Sequence, residues 1–136
     1  MKITPYLAFQ NKCEEAFKFY EKVLNGKITF MMKYGESPMA EQTAPEARNN
    51  VIHASLQIQD QLIHGADAPP QHFSKPAGFS VSIGLKDVAE AERIFKELSV
   101  GGQVQMPFAK TFWSPGFGMF IDRYNIPWMV NVEQAM

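Results

Sequence analysis

The sequence predicts an α+β protein built from two copies of a strand–helix–strand–strand–strand module. Apolar residues at helical spacing occur twice, 75 positions apart, starting at Cys13 and again at Val88. Each helical stretch follows one short apolar strand pattern and precedes three further strand patterns. Near the C-terminus, apolar runs at residues 118–121 and 128–130 flank the polar residues 122–125, which is typical of a β-hairpin. Self-similarity at a fixed offset indicates a repeated architecture.

Bulk composition fits one compact domain over residues 1–136. Of these residues 46% are hydrophobic and 20% charged, with a net charge of −1. No basic run indicates a nucleic-acid or anionic-membrane partner, and no long apolar segment indicates a membrane span. The single cysteine excludes an internal disulfide and fits a reducing compartment. We therefore expect a cytoplasmic protein.

The first module is expected to cover residues 1–68. Residues 3–9 predict a strand, and Asn11 with Glu14 predicts a capping box at the start of a helix. The helix should end at residues 25–26 (Asn-Gly), before a strand over residues 27–34. The polar segment 35–50 contains two prolines and is either a mobile flap or a flexible insertion.

The third and fourth strands of this module carry the polar residues of interest. Residues 51–58 alternate, with His53, Ser55 and Gln57 on one face and apolar residues on the other. A turn at residues 59–61 leads into the apolar run 62–65. The turn leaves open whether His64 lies opposite Ser55 or Gln57, but either register puts His64 on the face of His53.

The second module is expected over residues 77–136, after a Pro-rich linker at residues 69–76 that Asp67 caps. Residues 79–85 alternate as a strand, and Asp87 with Glu90 predicts a helix N-terminus. That helix should end at residues 101–102 (Gly-Gly). Strands are then predicted over residues 103–108, 118–121 and 128–132.

Short motifs along almost the whole chain resemble a known family. They are PYLAF at residues 5–9, EAFKFY at 15–20, VIHA at 51–54, HGAD at 64–67, MP at 106–107, TFW at 111–113, FGM at 117–119 and WMVN at 128–131. These residues resemble the PhnB-like branch of the vicinal-oxygen-chelate superfamily, which also includes glyoxalase I, bleomycin-resistance proteins and extradiol dioxygenases. The resemblance implies two βαβββ modules whose curled mixed sheets form a half-barrel cup, with helices on the convex side, and a homodimer.

The resemblance also implies where a divalent metal would bind, on the first and last strand of each module. The corresponding positions lie near residues 5–6, 63–64 and 80–82 and at Met129. Only His64 among them is a competent ligand, and a thioether such as that of Met129 is a poor partner for a hard cation. We therefore expect no catalytic metal and no other cofactor.

Without a metal, the candidate chemistry rests on the two histidines. An imidazole titrates near neutral pH, so His53 is a candidate general base and His64 a second acid–base group. Ser55 and Gln57 share their face and are candidate ligand contacts. The alternative for His53 is a hydrogen-bonded spacer between strands.

Aromatic and thioether side chains supply further candidate ligand contacts. Phe112 and Trp113 lie in a Pro-Gly loop, where function concentrates. Met129 suits an adaptable apolar cavity, although methionines also fill cores. We expect Trp128 and Cys13 to be core residues, with the helix N-terminus lowering the thiol pKa of Cys13.

Two functions from different classes fit these features. The first is a protein that binds a small molecule in a pocket on the concave sheet. The second is an enzyme of isomerase, lyase or dioxygenase type that uses His53 and His64 as acid–base groups or within an unusual metal site. The incomplete set of metal ligands favours the first function, small-molecule binding.

Overall fold

The computed structural model describes residues 1–134. In that range it has two α-helices and eight β-strands. The helices are α1 (Cys13–Val23) and α2 (Val88–Ser99). The strands are β1 (Tyr6–Phe9), β2 (Lys27–Lys33), β3 (Val51–Ile58), β4 (Gln61–Asp67), β5 (Val81–Leu85), β6 (Gln103–Ala109), β7 (Phe117–Ile121) and β8 (Pro127–Val132).

The chain divides into two compact units, Met1–Ser74 and Lys75–Met136. Each unit has one four-stranded sheet, in the order β1-β4-β3-β2 and β5-β8-β7-β6. In both sheets the first pair of strands is parallel and the other two pairs are antiparallel. The predicted α+β class and the repeated βαβββ module are confirmed. The described sheets are open, and neither closes into a barrel.

In the first unit, α1 packs one apolar stripe onto the sheet. The stripe uses Phe17, which is fully buried, whereas Phe19 is only partly buried. A Cβ atom at Gly65 would lie 2.8 Å from the Phe17 ring, so only glycine on β4 allows this close approach. The sheet residues buried on this face include Leu7, Phe9, Ala54, Leu56 and Ile63.

The predicted N-cap of α1 is wrong. Asn11 has a left-handed backbone (φ 64°), and the N-cap residue is Lys12, whose side chain makes no capping bond. Instead, Asp67 Oδ1 accepts hydrogen bonds from the N–H groups of Lys12 and Cys13, each at 2.9 Å. The prediction that Asp67 caps the linker is therefore also wrong. Its carboxylate accepts from N–H groups at the start of the helix that have no acceptor within the helix.

In the second unit, α2 begins as predicted. Asp87 Oδ1 accepts from the N–H groups of Ala89 and Glu90. Trp128 is buried, as expected, and its Nε1–H donates to Asp122 Oδ2 at 2.8 Å. Asp122 opens the tight turn between β7 and β8, so the predicted hairpin is confirmed.

The first strand of each unit begins later than predicted. Pairing with β4 starts at Tyr6, and Ile3 is 93% exposed. Pairing of β5 with β8 starts at Val81, opposite Trp128. Ile3 and Phe79, the apolar residues predicted to belong to these strands, are exposed instead.

The polar segment between β2 and β3 has more structure than predicted. It contains single-turn 3-10 helices at Tyr34–Glu36 and Pro45–Ala47. Its ends are joined by backbone hydrogen bonds from Tyr34 N to Asn50 O and from Gly35 N to Arg48 O. Within residues 1–134, no helix has the length and apolar character needed to cross a membrane.

Candidate functional site

The register between β3 and β4 places the two candidate histidines together. Ser55 lies opposite His64, which resolves the register that the sequence left open. His53 and His64 are on the same sheet face, as predicted, and their ring centroids are 5.1 Å apart in an edge-on arrangement. Both side chains are half-buried.

Two aromatic rings complete this group, and we call Tyr6, Phe30, His53 and His64 the ring cluster. Tyr6 on β1 lies opposite His64, and Phe30 on β2 lies opposite Ser55. The His53 ring centroid is 5.6 Å from that of Tyr6 and 5.8 Å from that of Phe30. Tyr6 is 54% and Phe30 45% exposed. The ring cluster therefore forms a partly exposed surface on the face opposite α1.

The other two candidates in this unit occupy different environments. Ser55 is buried, and it lies on β3 directly between Phe30 on β2 and His64 on β4. Gln57 is exposed, and its Nε2 donates to the carbonyl of Gln59 at 2.9 Å, within the β3–β4 turn. Gln57 thus shares the face of His53, but its amide group is held at the end of the strand.

A hydrogen bond within the ring cluster joins Tyr6 to His53. The Tyr6 hydroxyl lies 3.0 Å from His53 Nδ1. Burial, with smaller contributions from Cys13 and Tyr34, raises the pKa of Tyr6. Burial and then the neighbouring charge of His64 lower the pKa of His53. At neutral pH both groups are neutral, and the His53 tautomer decides whether the phenol donates to Nδ1 or accepts from Nδ1–H.

The residues at the four expected metal-ligand positions do not fit a divalent cation. Tyr6 lies opposite His64, and Ser82 lies opposite Met129, so the paired positions are equivalent in the two units. Their donors are a phenol, an imidazole, a hydroxyl and a thioether, whereas hard cations select carboxylate oxygens, and zinc and iron select several imidazole or carboxylate ligands. Within residues 1–134, His, Cys, Asp and Glu side chains form no group of three or more with a metal-binding arrangement.

In the second unit, the predicted aromatic pair lies in the loop between β6 and β7. Phe112 is 95% and Trp113 45% exposed, and their rings meet edge-on at 4.7 Å. The loop is held by Ser114, whose buried hydroxyl lies 2.7 Å from Gly116 O and 2.8 Å from Val132 O. Two exposed aromatic rings are thus carried on an internally hydrogen-bonded loop.

The sequence also singles out Met129 and Cys13. Met129, on β8, is partly exposed and lies opposite Met119 on β7. Cys13 is buried, as predicted, but the expected lowering of its pKa is wrong. Burial, followed by the carboxylates of Asp67 and Glu14, raises its thiol pKa, which outweighs the helix dipole.

Sequence reasoning missed Phe30 and assigned no ligand contact to Tyr6. Both belong to the ring cluster only because β1 and β2 flank β4 and β3, which short-range patterns do not reveal. The strand order in the two units, β1-β4-β3-β2 and β5-β8-β7-β6, is that of an α+β protein with the vicinal-oxygen-chelate fold.

Comparison with known proteins agrees with this class. A family model described as 3-demethylubiquinone-9 3-methyltransferase matches residues 1–131, and the chain belongs to this family. Protein YjdN of Escherichia coli (strain K12) is 30% identical over 140 residues, covering 97% of this chain and 95% of that protein.

Solved structures of other proteins also resemble this chain. Protein PA1353 from Pseudomonas aeruginosa is 38% identical, with a TM-score of 0.90 over 99% of both chains. A putative 3-demethylubiquinone-9 3-methyltransferase, PhnB protein, from Bacillus cereus is 25% identical, with a TM-score of 0.83 over 97% of this chain and 99% of that one. A glyoxylase/bleomycin resistance protein/dioxygenase domain from Frankia shares the fold alone, at 12% identity and a TM-score of 0.62 over 98% of each chain.

Proposed function

We propose that this chain binds a small planar molecule at the ring cluster of the first unit, without a catalytic metal. The observation that carries the proposal is the position of His53, within 5.8 Å of three other rings on one sheet face. Aromatic rings left partly in water beside imidazoles offer both stacking area and directed hydrogen bonds. This combination is typical of a recognition surface.

The chemistry of the ring cluster favours a ligand with a carboxylate. Its four side chains include no carboxylate of their own, so an anion meets no like charge within the cluster. Imidazole N–H groups donate to an anionic oxygen, and such a bond is stronger than one to a neutral acceptor. Tyr6 and Phe30 supply flat apolar area for the body of the ligand. An aromatic carboxylate therefore matches the site.

The proposal extends to the other predicted residues. Ser55 and Gln57 would contact a ligand in the first unit, and Phe112, Trp113 and Met129 are proposed separately as ligand contacts of the second unit. We also propose a cytoplasmic homodimer, on the basis of the family resemblance and the composition. Light scattering on the purified protein tests the dimer, and a monomer at micromolar concentration would contradict it.

A histidine-detected NMR titration tests the site. Salicylate should shift the ring signals of His53 and His64, whereas salicylamide, its neutral analogue, should bind more weakly. His72, the third histidine, is exposed and lies outside the ring cluster, so its signal and the variant His72→Gln serve as internal controls. We expect His53→Gln and His64→Gln each to weaken binding about tenfold.

Two results would overturn this assignment. Salicylate could leave all three histidine signals unchanged, or it could bind the wild type and both histidine variants equally. Metal analysis of protein purified without chelator tests the metal-independent part. One equivalent of tightly held metal that is lost in His64→Ala would place the chain among the metal-dependent members instead.

The hydrogen bond between Tyr6 and His53 favours a second candidate, a metal-free acid–base enzyme. In the tautomer in which Nδ1–H donates to the Tyr6 hydroxyl, the neutral His53 ring is oriented and its Nε2 lone pair is free, as a general base requires. Exchange of the methyl hydrogens of pyruvate for deuterium, followed by NMR, probes this chemistry. General-base catalysis predicts a rate on the order of 100-fold above the His53→Gln variant. Equal rates with both histidines replaced would exclude it.

A further inference from the structure

The second unit has a sheet face opposite α2, on which the Trp113 ring of the β6–β7 loop packs against Phe117. Phe120, Trp128 and Val130 point toward α2 and are buried. Met119, Met129 and Asn131 point to the opposite face and are only partly buried, whereas Phe117 on that face is buried. This opposite face is distinct from the ring cluster, which belongs to the first unit.

A row of three thioethers crosses this face. Met106, Met119 and Met129 lie directly opposite one another on β6, β7 and β8, and Ser82 on β5 ends the row. Methionine side chains are flexible and polarizable, and they adapt to apolar ligands of different shapes. The row therefore offers contact area for an apolar body but no hydrogen bonding until Ser82 is reached.

Next to this row lies a polar group without a partner. Asn131 Oδ1 is buried and has no hydrogen-bond partner within residues 1–134. A buried acceptor of this kind costs free energy, which a donor would recover. Its neighbours on the same face, Met129 and Glu133, have flexible side chains whose movement would admit a donor.

The charge beside Asn131 selects the type of donor. Asn131 lies opposite Gly84, and a Cβ atom at Gly84 would be 3.3 Å from Glu133 Cδ and 3.6 Å from its Oε1. The Glu133 carboxylate therefore lies beside Gly84, the residue that is paired with Asn131. It forms no ion pair with the described residues. Together, the amide oxygen and the carboxylate favour a cation that carries N–H groups and disfavour an anion.

We propose that this face of the second unit binds an organic ammonium ion with an apolar body. The ammonium N–H groups donate to Asn131 Oδ1 and to the Glu133 carboxylate, while the apolar body lies along Met129 and Met119. The ligand class is opposite in charge to the one proposed for the ring cluster, so each of the two proposals can fail without the other.

NMR of methionine methyl groups tests the site with three matched probes: phenethylammonium, phenylpropionate and phenylethanol. At millimolar concentration, phenethylammonium should shift Met119 and Met129, and the other two probes should do so weakly or not at all. Met39, exposed on the first unit, is the control signal. Glu133→Gln should weaken ammonium binding about threefold. Asn131→Leu should weaken it about tenfold.

The stability of the Asn131→Leu variant distinguishes a ligand-binding role of Asn131 from a structural role. Because its oxygen has no partner, Asn131→Leu should leave the urea midpoint unchanged or raise it while ammonium binding is lost. A lowered midpoint with retained binding would overturn the proposal. So would equal shifts from all three probes, or no shift from phenethylammonium.

Discussion

Replacing Asp67 tests whether one buried carboxylate holds the first unit together. Asp67 is 3% exposed. Its Oδ1 accepts from the N–H groups of Lys12 and Cys13, and its Oδ2 accepts from Val51 N–H, each at 2.9 Å. The side chain therefore joins the end of β4 to the start of α1 and the start of β3. The two joined strands are those that carry the candidate histidines.

The cost of removing this carboxylate follows from its three hydrogen bonds. In Asp67→Ala, the buried N–H groups of Cys13 and Val51 lose their acceptor, at about 1–3 kcal/mol each. The Lys12 N–H is only partly buried and can bond to water. We expect a loss of about 2–6 kcal/mol in the free energy of unfolding, out of a typical total of about 5–15 kcal/mol. Asp67→Asn keeps one oxygen and should cost about 1–3 kcal/mol.

Urea unfolding followed by circular dichroism measures these differences. Asp60→Ala is the matched control, because Asp60 is exposed in the β3–β4 turn and should change stability by less than about 0.5 kcal/mol. Hydrogen exchange at the Cys13 and Val51 amides should accelerate in Asp67→Ala. A loss below about 1 kcal/mol for Asp67→Ala, or an equal loss for Asp67→Asn, would refute this account.

Three other predictions concern single side chains. Because the charge of His64 contributes to lowering the pKa of His53, His64→Gln should raise that pKa in an NMR titration; an unchanged pKa would contradict this. The unfolded chain protonates His53 more readily than the folded one, so the free energy of unfolding should fall as pH drops below about 6.5. His53→Gln should flatten this slope, and an identical slope would disagree. Cys13 should react with a thiol reagent only on unfolding, and rapid native labelling would argue otherwise. Ser114→Ala should cost about 1–2 kcal/mol and increase the mobility of Trp113, seen by fluorescence anisotropy, and unchanged anisotropy would count against it.

The elements that the sequence predicted well are those set by local periodicity. The alternation over residues 51–58 matches β3, and the shared parity of His53 and His64 holds whichever register the turn selects. The second helix begins at its own cap, Asp87, because donor and acceptor are only two or three residues apart. Such features depend on backbone geometry within a few residues.

The features that the sequence did not reveal depend on partners that are distant along the chain. Asp67 caps α1 from 54 residues away. Tyr6 and Phe30 join the histidines only through the strand order β1-β4-β3-β2. Sequence alone determined the repeated module and the face on which each polar residue lies, because both follow from side-chain spacing. Tertiary structure decided which rings meet and which donors Asp67 satisfies, because strand pairing and buried hydrogen bonds form between segments that have no local pattern in common.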